Sequence, residues 1–473
     1  MGTINAAYSI ITGALDADQQ ALSVVASNVA NANTPGYTEE TPDWSQNAPI
    51  SVGGALQGDG VTETGATSQR DRVLEAQLDQ QQQLASASGT RLTALNSIQA
   101  LFTPDSGSSS STAGDIGSDI TSFFDSFSSL EADPTENALR ENVLSSASTL
   151  AGDISGAASS LNEQQGALDQ EAAGVAGQVN SLTAAIGQLN VQIQSTSPDS
   201  DAGTLEDRRQ QDLSQLSQLI GINQVTTENN GLSITTTSGQ TLVSEGQSFQ
   251  LTTGTVNGLT DFFVNGTDIT SQLAAGGGQL GGYLTARDVD IPGALGSLDQ
   301  LAYSISTEVN AQNSAGTDLD GVSGAAANPL DIFNQPAQVA GSAAAMSVAM
   351  TDPNQVAAAG AGTGTGGNSN ALALANLAQQ QIVNGQTPID YYSNFVSTLG
   401  ATVSGVTAEN TAQNASVTQL QTQNNALSSV NLNDEASALS TLETSYQAAS
   451  QVFTILNTVV ASALNLGMET TVS

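Results

Sequence analysis

The sequence predicts a mainly α-helical chain with a small β insertion. Helices from its two ends pair as a coiled coil, next to a long-helix bundle domain and an outer β-rich domain. Three observations predict this. Both ends carry apolar residues every seven positions, the flanking interior is apolar at helical spacing, and the period falls to two only between Ile222 and Thr270.

The C-terminal stretch from Leu432 to Leu466 is the clearest element. Leu432, Leu439, Tyr446, Phe453 and Val460 recur at heptad spacing, and Leu442, Ala449, Leu456 and Ala463 form a second row. Two such rows share one helical stripe, and a sustained seven-residue repeat favours supercoiling against a partner. Asn433, Asp434 and Glu435 supply a start signal for the free N–H groups and the positive end of the dipole. The N-terminus repeats the pattern: Tyr8, Leu15, Leu22 and Val29 form one row, and Ile4, Ile11, Val25 and Ala32 the other, with Asp18 inside it. Pro35 and Gly36 end this helix. An amphipathic helix on a globular core is the alternative reading of each end. The assembly stripe so defined comprises Tyr8, Ile11, Leu15, Leu22, Val25 and Val29 at one end and Leu439, Leu442, Tyr446, Phe453, Leu456 and Val460 at the other.

Composition excludes several chemistries. The 473 residues include 45 acids and seven bases, a net charge of −38, and there is no Lys, His or Cys. Binding to nucleic-acid backbone or to an anionic membrane needs clustered cations, which this balance argues against. Without His or Cys there is no Ser-His-Asp triad, Cys nucleophile or ordinary zinc, haem or iron–sulfur site. Without Lys there is neither a P-loop lysine nor a Schiff base. Carboxylate-only hydrolysis survives this filter. The acid excess is consistent with an acidic habitat in which carboxylates are partly protonated. No window approaches the ~18 apolar residues of a membrane-spanning helix. Met1 to Asn5 lacks a basic signal-peptide start, and Ala6 occupies the Ser/Thr position of the myristoylation motif. The expectation is a chain that is cytosolic or exported without a cleaved signal.

Domain boundaries follow from shifts in pattern. Residues 1–65 read as an axial helix plus an irregular, partly extended segment, and 66–221 as the first part of the bundle. Residues 222–370 read as the β-rich outer domain, with a helical return near 291–312 that packs on the bundle. Residues 371–430 complete the bundle, and 431–473 form the C-terminal axial helix.

Within the bundle, a helix is expected from about Ser68 to Phe102, then a Ser/Gly loop over 103–114. A short helix follows with Ile116, Ile120, Phe123, Phe124, Phe127 and Leu130 on one face. Asp133-Pro134-Thr135-Glu136 reads as a helix start, with Asp133 as cap and Glu136 reaching back. Helical spacing continues to about Gln194, although six glycines from Gly152 to Gly187 make a break possible. Thr204 opens another helix with Asp207 in capping-box position. Asn230-Gly231, Ser238-Gly239, Glu245-Gly246 and Asn257-Gly258 separate short strands of a β-meander. Gly276 to Gly282 reads as a hinge, and Met346 to Met350 as a strand. Helices are expected over Asn370 to Val383 and from about Ile389 to Leu427.

No catalytic constellation emerges, and no cofactor or metal is expected. Gly362-Thr363-Gly364-Thr365-Gly366-Gly367 matches the dinucleotide glycine pattern, with Asp390 downstream, but no βαβ unit precedes it, so a linker is preferred. Asp318, Asp320 and Gly321 resemble the start of a calcium loop whose closing glutamate is missing, so a solvated turn is preferred. Asp16, Asp18, Glu206 and Asp207 are read as acids on helix surfaces or caps, with a solvated face preferred and no cleft implied.

Two segments carry a family resemblance. Ala26-Ser27-Asn28-Val29-Ala30-Asn31-Ala32-Asn33-Thr34-Pro35-Gly36-Tyr37 resembles the N-terminal motif of bacterial flagellar axial proteins, the rod, hook and hook-associated proteins. Ser429-Val430-Asn431-Leu432-Asn433-Asp434-Glu435 resembles the signature before their C-terminal helix. Asn28, Asn31, Thr34, Pro35, Gly36, Tyr37, Asn431, Asp434 and Glu435 are the motif positions. Phe123-Phe124 before Asp133-Pro134, Leu205-Glu206-Asp207-Arg208, Leu280-Gly281-Gly282-Tyr283-Leu284 and Gln451-Val452-Phe453 resemble landmarks of the hook-associated branch. The likeness is weak between about 222 and 370. Glu39-Glu40 stands where Arg-Gln is more usual, and Arg209 where an acid is, so salt bridges are expected to differ. The resemblance implies an extracellular structural subunit that joins hook to filament by helical self-assembly and leaves the cell by type III export. Its implied partners are copies of itself, the hook protein, a second hook–filament junction protein and an export chaperone on the C-terminal helix. A hook or distal-rod protein is the alternative within the family, and a secreted adhesin-like binding protein the alternative outside it.

Overall fold

The computed structural model describes residues 2–52, 55–103, 115–196, 201–324 and 330–469. Helix α1 (Gly2–Asn31) leads into strands β1 (Glu40–Gln46), β2 (Ile50–Val52), β3 (Ala55–Gln57) and β4 (Val61–Ser68). Helices α2 (Arg72–Ala100), α3 (Ile116–Ala132), α4 (Asn137–Thr196) and α5 (Thr204–Leu219) follow. Then come β5 (Ile222–Thr226), β6 (Leu232–Thr236), β7 (Thr241–Ser244), β8 (Gln247–Ser248), β9 (Leu251–Val256), β10 (Leu259–Val264) and β11 (Thr267–Asp268). Helices α6 (Thr270–Gly276) and α7 (Gly278–Thr285) precede a π-helical turn and α8 (Ile291–Ala315). The chain closes with β12 (Gly316–Thr317), α9 (Ser342–Ala345), β13 (Ala359–Gly360), α10 (Ser369–Asn376), α11 (Pro388–Ser428) and α12 (Leu432–Glu469). It is mainly helical with small β insertions, as the periodicities predict.

The chain divides into two compact units. Unit 1 holds Met1–Gln83, Gln178–Leu251 and Asn414–Ser473; unit 2 holds Leu84–Gly177 and Thr252–Gln413.

Unit 2 is built on the apolar face of α3. Ile116, Ile120, Phe123, Phe124, Phe127 and Leu130 are all buried, as their spacing predicts. Phe123 lies 5.1 to 5.4 Å, ring centre to ring centre, from Phe124, Phe127 and Phe333. Each such side chain removes a large apolar area from water and gains from tilted ring packing. Leu298, Leu301 and Ile305 of α8 join the same core. Arg140 is fully buried there, and its guanidinium donates to the carbonyls of Pro134, Asn354 and Val356. Those acceptors offset the desolvation of a cation.

In unit 1, β5-β6-β7-β8 form an antiparallel four-stranded sheet; in unit 2, β9-β10-β11 form a three-stranded one. The meander is therefore split in two. Its turns fall at the predicted glycines: Asn257 and Gly258 have φ of 52° and 87°, the left-handed pair that a tight hairpin requires.

Several local expectations are corrected. The segment read as irregular contains a hairpin, with β1 antiparallel to β4 from Glu40↔Ser68 to Gln46↔Val61 and a bulge at Asp43/Trp44. Thr41, Thr62, Thr64 and Thr67 suit strands, but Pro42 and the acids hide the alternation. Helix α4 starts at Asn137, not at Pro134. Asp133 to Glu136 form a turn, closed by Glu136 N–H to the Asp133 carbonyl at 3.2 Å. The six glycines do not break α4, which runs 60 residues. Asp207 is not a capping residue, because its carboxylate is taken by the Thr38 N–H and by Arg70. Gly276 to Gly282 is a site of close approach rather than a hinge: a Cβ on Gly282 would sit 2.5 Å from the Ala87 carbonyl oxygen. Met346 to Met350 forms only a single bridge, Phe333↔Val348. The Ser/Gly segment falls mostly in 104–114, outside the described residues. The glycine-rich run forms turns ahead of α10, and Asp390 accepts from the Thr387 hydroxyl at 2.7 Å, at the start of α11. Asp318 Oδ1 accepts the Val322 N–H at 2.7 Å, which closes a turn.

Candidate assembly site

The two terminal helices meet inside unit 1. Tyr8 packs edge-on against Phe453 with ring centres 5.5 Å apart, and its hydroxyl donates to the Asn457 side chain. Along α12, Leu439, Leu442, Phe453, Leu456 and Val460 of the predicted rows are half-buried, while Leu432 and Tyr446 are 51% and 39% exposed. Along α1, Val25 is buried; Tyr8, Ile11, Leu15 and Leu22 are half-buried; and Val29 is exposed. The most buried apolar positions of α1 are Ala6, Ala17, Ala21 and Val25. Small side chains let two helix backbones approach closely, and a search for large apolar residues passes over them. The spacing of Ala17, Ala21 and Val25 was the available signal.

One face of α12 is left over. Val452, Ile455 and Val459, at i, i+3 and i+7, are 45%, 61% and 50% exposed. They lie off the face that α1 covers.

The end motifs form a polar lock above this pair. Asn28 is 1% exposed, and its amide uses all four hydrogen-bonding directions. Nδ2 donates to the Glu40 carbonyl and to Glu435 Oε1, both at 2.8 Å. Oδ1 accepts from the Tyr37 hydroxyl at 2.8 Å and from the Glu40 N–H at 3.0 Å. Burial raises the pKa of Glu435, which the Asn28 bond opposes. Asn31 accepts from the Thr34 hydroxyl at 3.2 Å, which stiffens the turn before Pro35. Gly36 there has φ of 78°, and Gln211 Nε2 donates to the Pro35 carbonyl at 2.6 Å. On the other segment, Asn431 caps α12, accepting from the Asn433 N–H at 3.1 Å and donating to Asp434 at 2.8 Å. The cap thus stands two residues ahead of the expected Asn433. Glu39 N–H donates to the Ser428 carbonyl at 2.8 Å, a second tie between the segments that flank the motifs.

An ionic cluster, unread from sequence, supports the β1–β4 hairpin. Arg70 pairs with Asp207 at 2.6 Å, and Arg72 with Glu206 at 2.8 Å. Arg209 lies 3.9 Å from Glu206 and donates to Asn190 and to the Asn230 carbonyl. Glu206 is completely buried on its side chain, where a solvated acid was expected, and three guanidinium groups lie within 4.0 Å of it.

Residues 105–327 match the family described as flagellar hook-associated protein FlgK helical domain, and residues 10–38 match flagella basal body rod protein. Residues 105–327, just under half of the chain, thus carry the helical domain of that family. Flagellar hook-associated protein 1 of Salmonella typhimurium is 28% identical over 66% of this chain and 57% of its own length. The Escherichia coli protein of the same name is 26% identical over the same shares. Those alignments thus span little more than half of the enterobacterial relatives. The Bacillus subtilis protein is 26% identical over 96% of both chains. In structure, the flagellar hook junction protein FlgK from Burkholderia pseudomallei matches with a TM-score of 0.64 at 18% identity, covering 74% of this chain and 99% of that one. That likeness carries the fold.

Proposed function

We propose that this chain is a structural hook–filament junction subunit, which joins the bacterial flagellar hook to its filament by helical self-assembly outside the cell. One observation carries the reading. The two family motifs, 407 positions apart, converge on Asn28 and Glu435 at the head of a paired α1 and α12. A subunit of a helical array needs two different complementary surfaces. The exposed stripe Val452, Ile455 and Val459 supplies an apolar surface for a neighbouring copy of the chain. The hook protein and a second junction protein are the expected neighbours along the axis. An export chaperone would cover the apolar α12 before assembly. Short of their docked state, isolated helices are marginal in water. This fits termini that fold on docking. The role is architectural rather than enzymatic.

The test is truncation. In the source bacterium, removing residues 436–473 abolishes attachment of filaments to hooks while leaving the secreted amount of filament protein unchanged. Normal filament attachment with the truncated chain would sink the reading.

A further inference from the structure

Glu75 and Asp79 stand one turn apart on α2 and are 7% and 1% exposed within unit 1. Asp79 Oδ2 accepts from Gln210 at 3.0 Å and from Gln224 at 2.8 Å, while its Oδ1 is buried without a partner. A cavity of about 100 Å³ adjoins Glu75 and the two glutamines that hold Asp79, lined by Arg70, Arg72, Glu206 and Arg209 as well. The charged groups around the pair are Arg70, just ahead of α2, Arg72 at its first position, and Glu206, Asp207 and Arg209 from α5. From β5 comes only the neutral amide of Gln224. Those arginines are already held by Glu206 and Asp207. Among the described residues, neither Glu75 nor Asp79 has an ion pair of its own within 4.0 Å. A buried carboxylate in that position is costly when ionised and cheap when neutral.

We propose that Glu75 and Asp79 form a proton-operated clamp: protonated, they let α2 pack on α5 and β5; ionised, they draw water into the adjoining cavity and loosen that packing. Unit 1 therefore binds protons as it folds and is tightest in a mildly acidic medium. Burial pushes Glu75 up to about 7 and Asp79 up to about 6. Folded-state values above the unfolded ones mean that the stabilisation is complete below the ordinary carboxyl range. It is lost as pH rises through about 6 and 7. The inference does not depend on assembly and is tested on the isolated chain.

The experiment is urea denaturation of the full chain at pH 5 and pH 8, followed by circular dichroism. Wild type unfolds at lower urea at pH 8 than at pH 5. The double variant Glu75→Gln, Asp79→Asn raises the pH 8 midpoint and narrows the gap between the two. Glu443→Gln, an exposed acid on α12, leaves the gap unchanged and so controls for net charge. If the double variant fails to fold, Glu75→Gln alone carries the test, because among the described residues no hydrogen bond to the Glu75 side chain is seen for the substitution to break. A wild-type midpoint equal or higher at pH 8, or an unchanged gap in the neutralised variant, overturns the proposal.

Discussion

Asn28 and Glu435 lie 407 positions apart and share a 2.8 Å hydrogen bond in a site from which water is excluded. The bond ties the N-terminal motif to the C-terminal one, and Asn28 holds Tyr37 and the Glu40 backbone as well. Removing the amide orphans several buried groups at once. Asn28→Ala should cost about 2–3 kcal/mol in urea unfolding monitored by circular dichroism. Asn28→Asp should be worse at pH 8 than at pH 5, because it sets a second carboxylate beside Glu435. A change under about 0.5 kcal/mol for the alanine variant would show the lock to be ornamental.

Tyr8 and Phe453 are the aromatic contact between the terminal helices. The pair is only half-buried, so the loss is smaller than for a core phenylalanine. Phe453→Ala should cost about 1–2 kcal/mol, part apolar area and part ring geometry. Hydrogen exchange then speeds up in α12 and in α1, while amides of α3 keep their rates. Unchanged exchange in both terminal helices would rule out this contact as what holds them together.

The heptad rows on α12 were legible because a stripe of large apolar residues has a period. The lock was not, because a polar contact across the whole chain leaves no periodic trace; only the likeness of the two motifs pointed to it. The close packing of α1 escaped notice because alanines perform it. The β1–β4 hairpin was hidden by Pro42 and by acids in its strands. The arginines were visible as residues but not as a cluster, since Arg70, Arg72 and Arg209 converge on Glu206 only once α5 is folded against the start of α2.

Glu206 is the hinge of that ionic cluster. Its side chain is 0% exposed, and the loss of its charge leaves Arg209, 9% exposed on its side chain, with no carboxylate within 4.0 Å among the described residues, while Arg70 keeps Asp207. Glu206→Gln should lower stability by about 3 kcal/mol at pH 7. Arg72 is 49% exposed on its side chain, and Arg72→Ala should cost less than about 1 kcal/mol. Equal effects of the two substitutions would contradict this ranking.

Two glycines separate packing from propensity. A Cβ on Gly282 would meet the Ala87 carbonyl at 2.5 Å and Thr90 Cβ at 2.8 Å, whereas one on Gly166 in α4 meets nothing within 4 Å. Gly282→Ala should destabilise by about 1–3 kcal/mol through overpacking. Gly166→Ala should stabilise by about 0.5–1 kcal/mol, since the helix gains propensity at no steric cost. Melting temperatures that move in the same direction for both variants would refute the close-approach account of Gly282.

Asp119 supplies a separate pH test in unit 2. Burial first, then a hydrogen bond with Asp153 and the nearby charges of Asp153 and Asp115, push it up to about 7. The Tyr392 phenol, itself pushed up to about 12, faces the same group from α11 and stays neutral across this range. Because the folded-state value is raised, the neutral acid stabilises the fold at low pH, and that contribution fades as pH climbs from the ordinary aspartate range through about 7. Asp119→Asn keeps the shape and removes the titration. Its urea midpoint should exceed that of wild type at pH 8, and the two should converge near pH 4. A variant less stable than wild type at pH 8 would mean that the ionised Asp119 carboxylate is favoured in the fold.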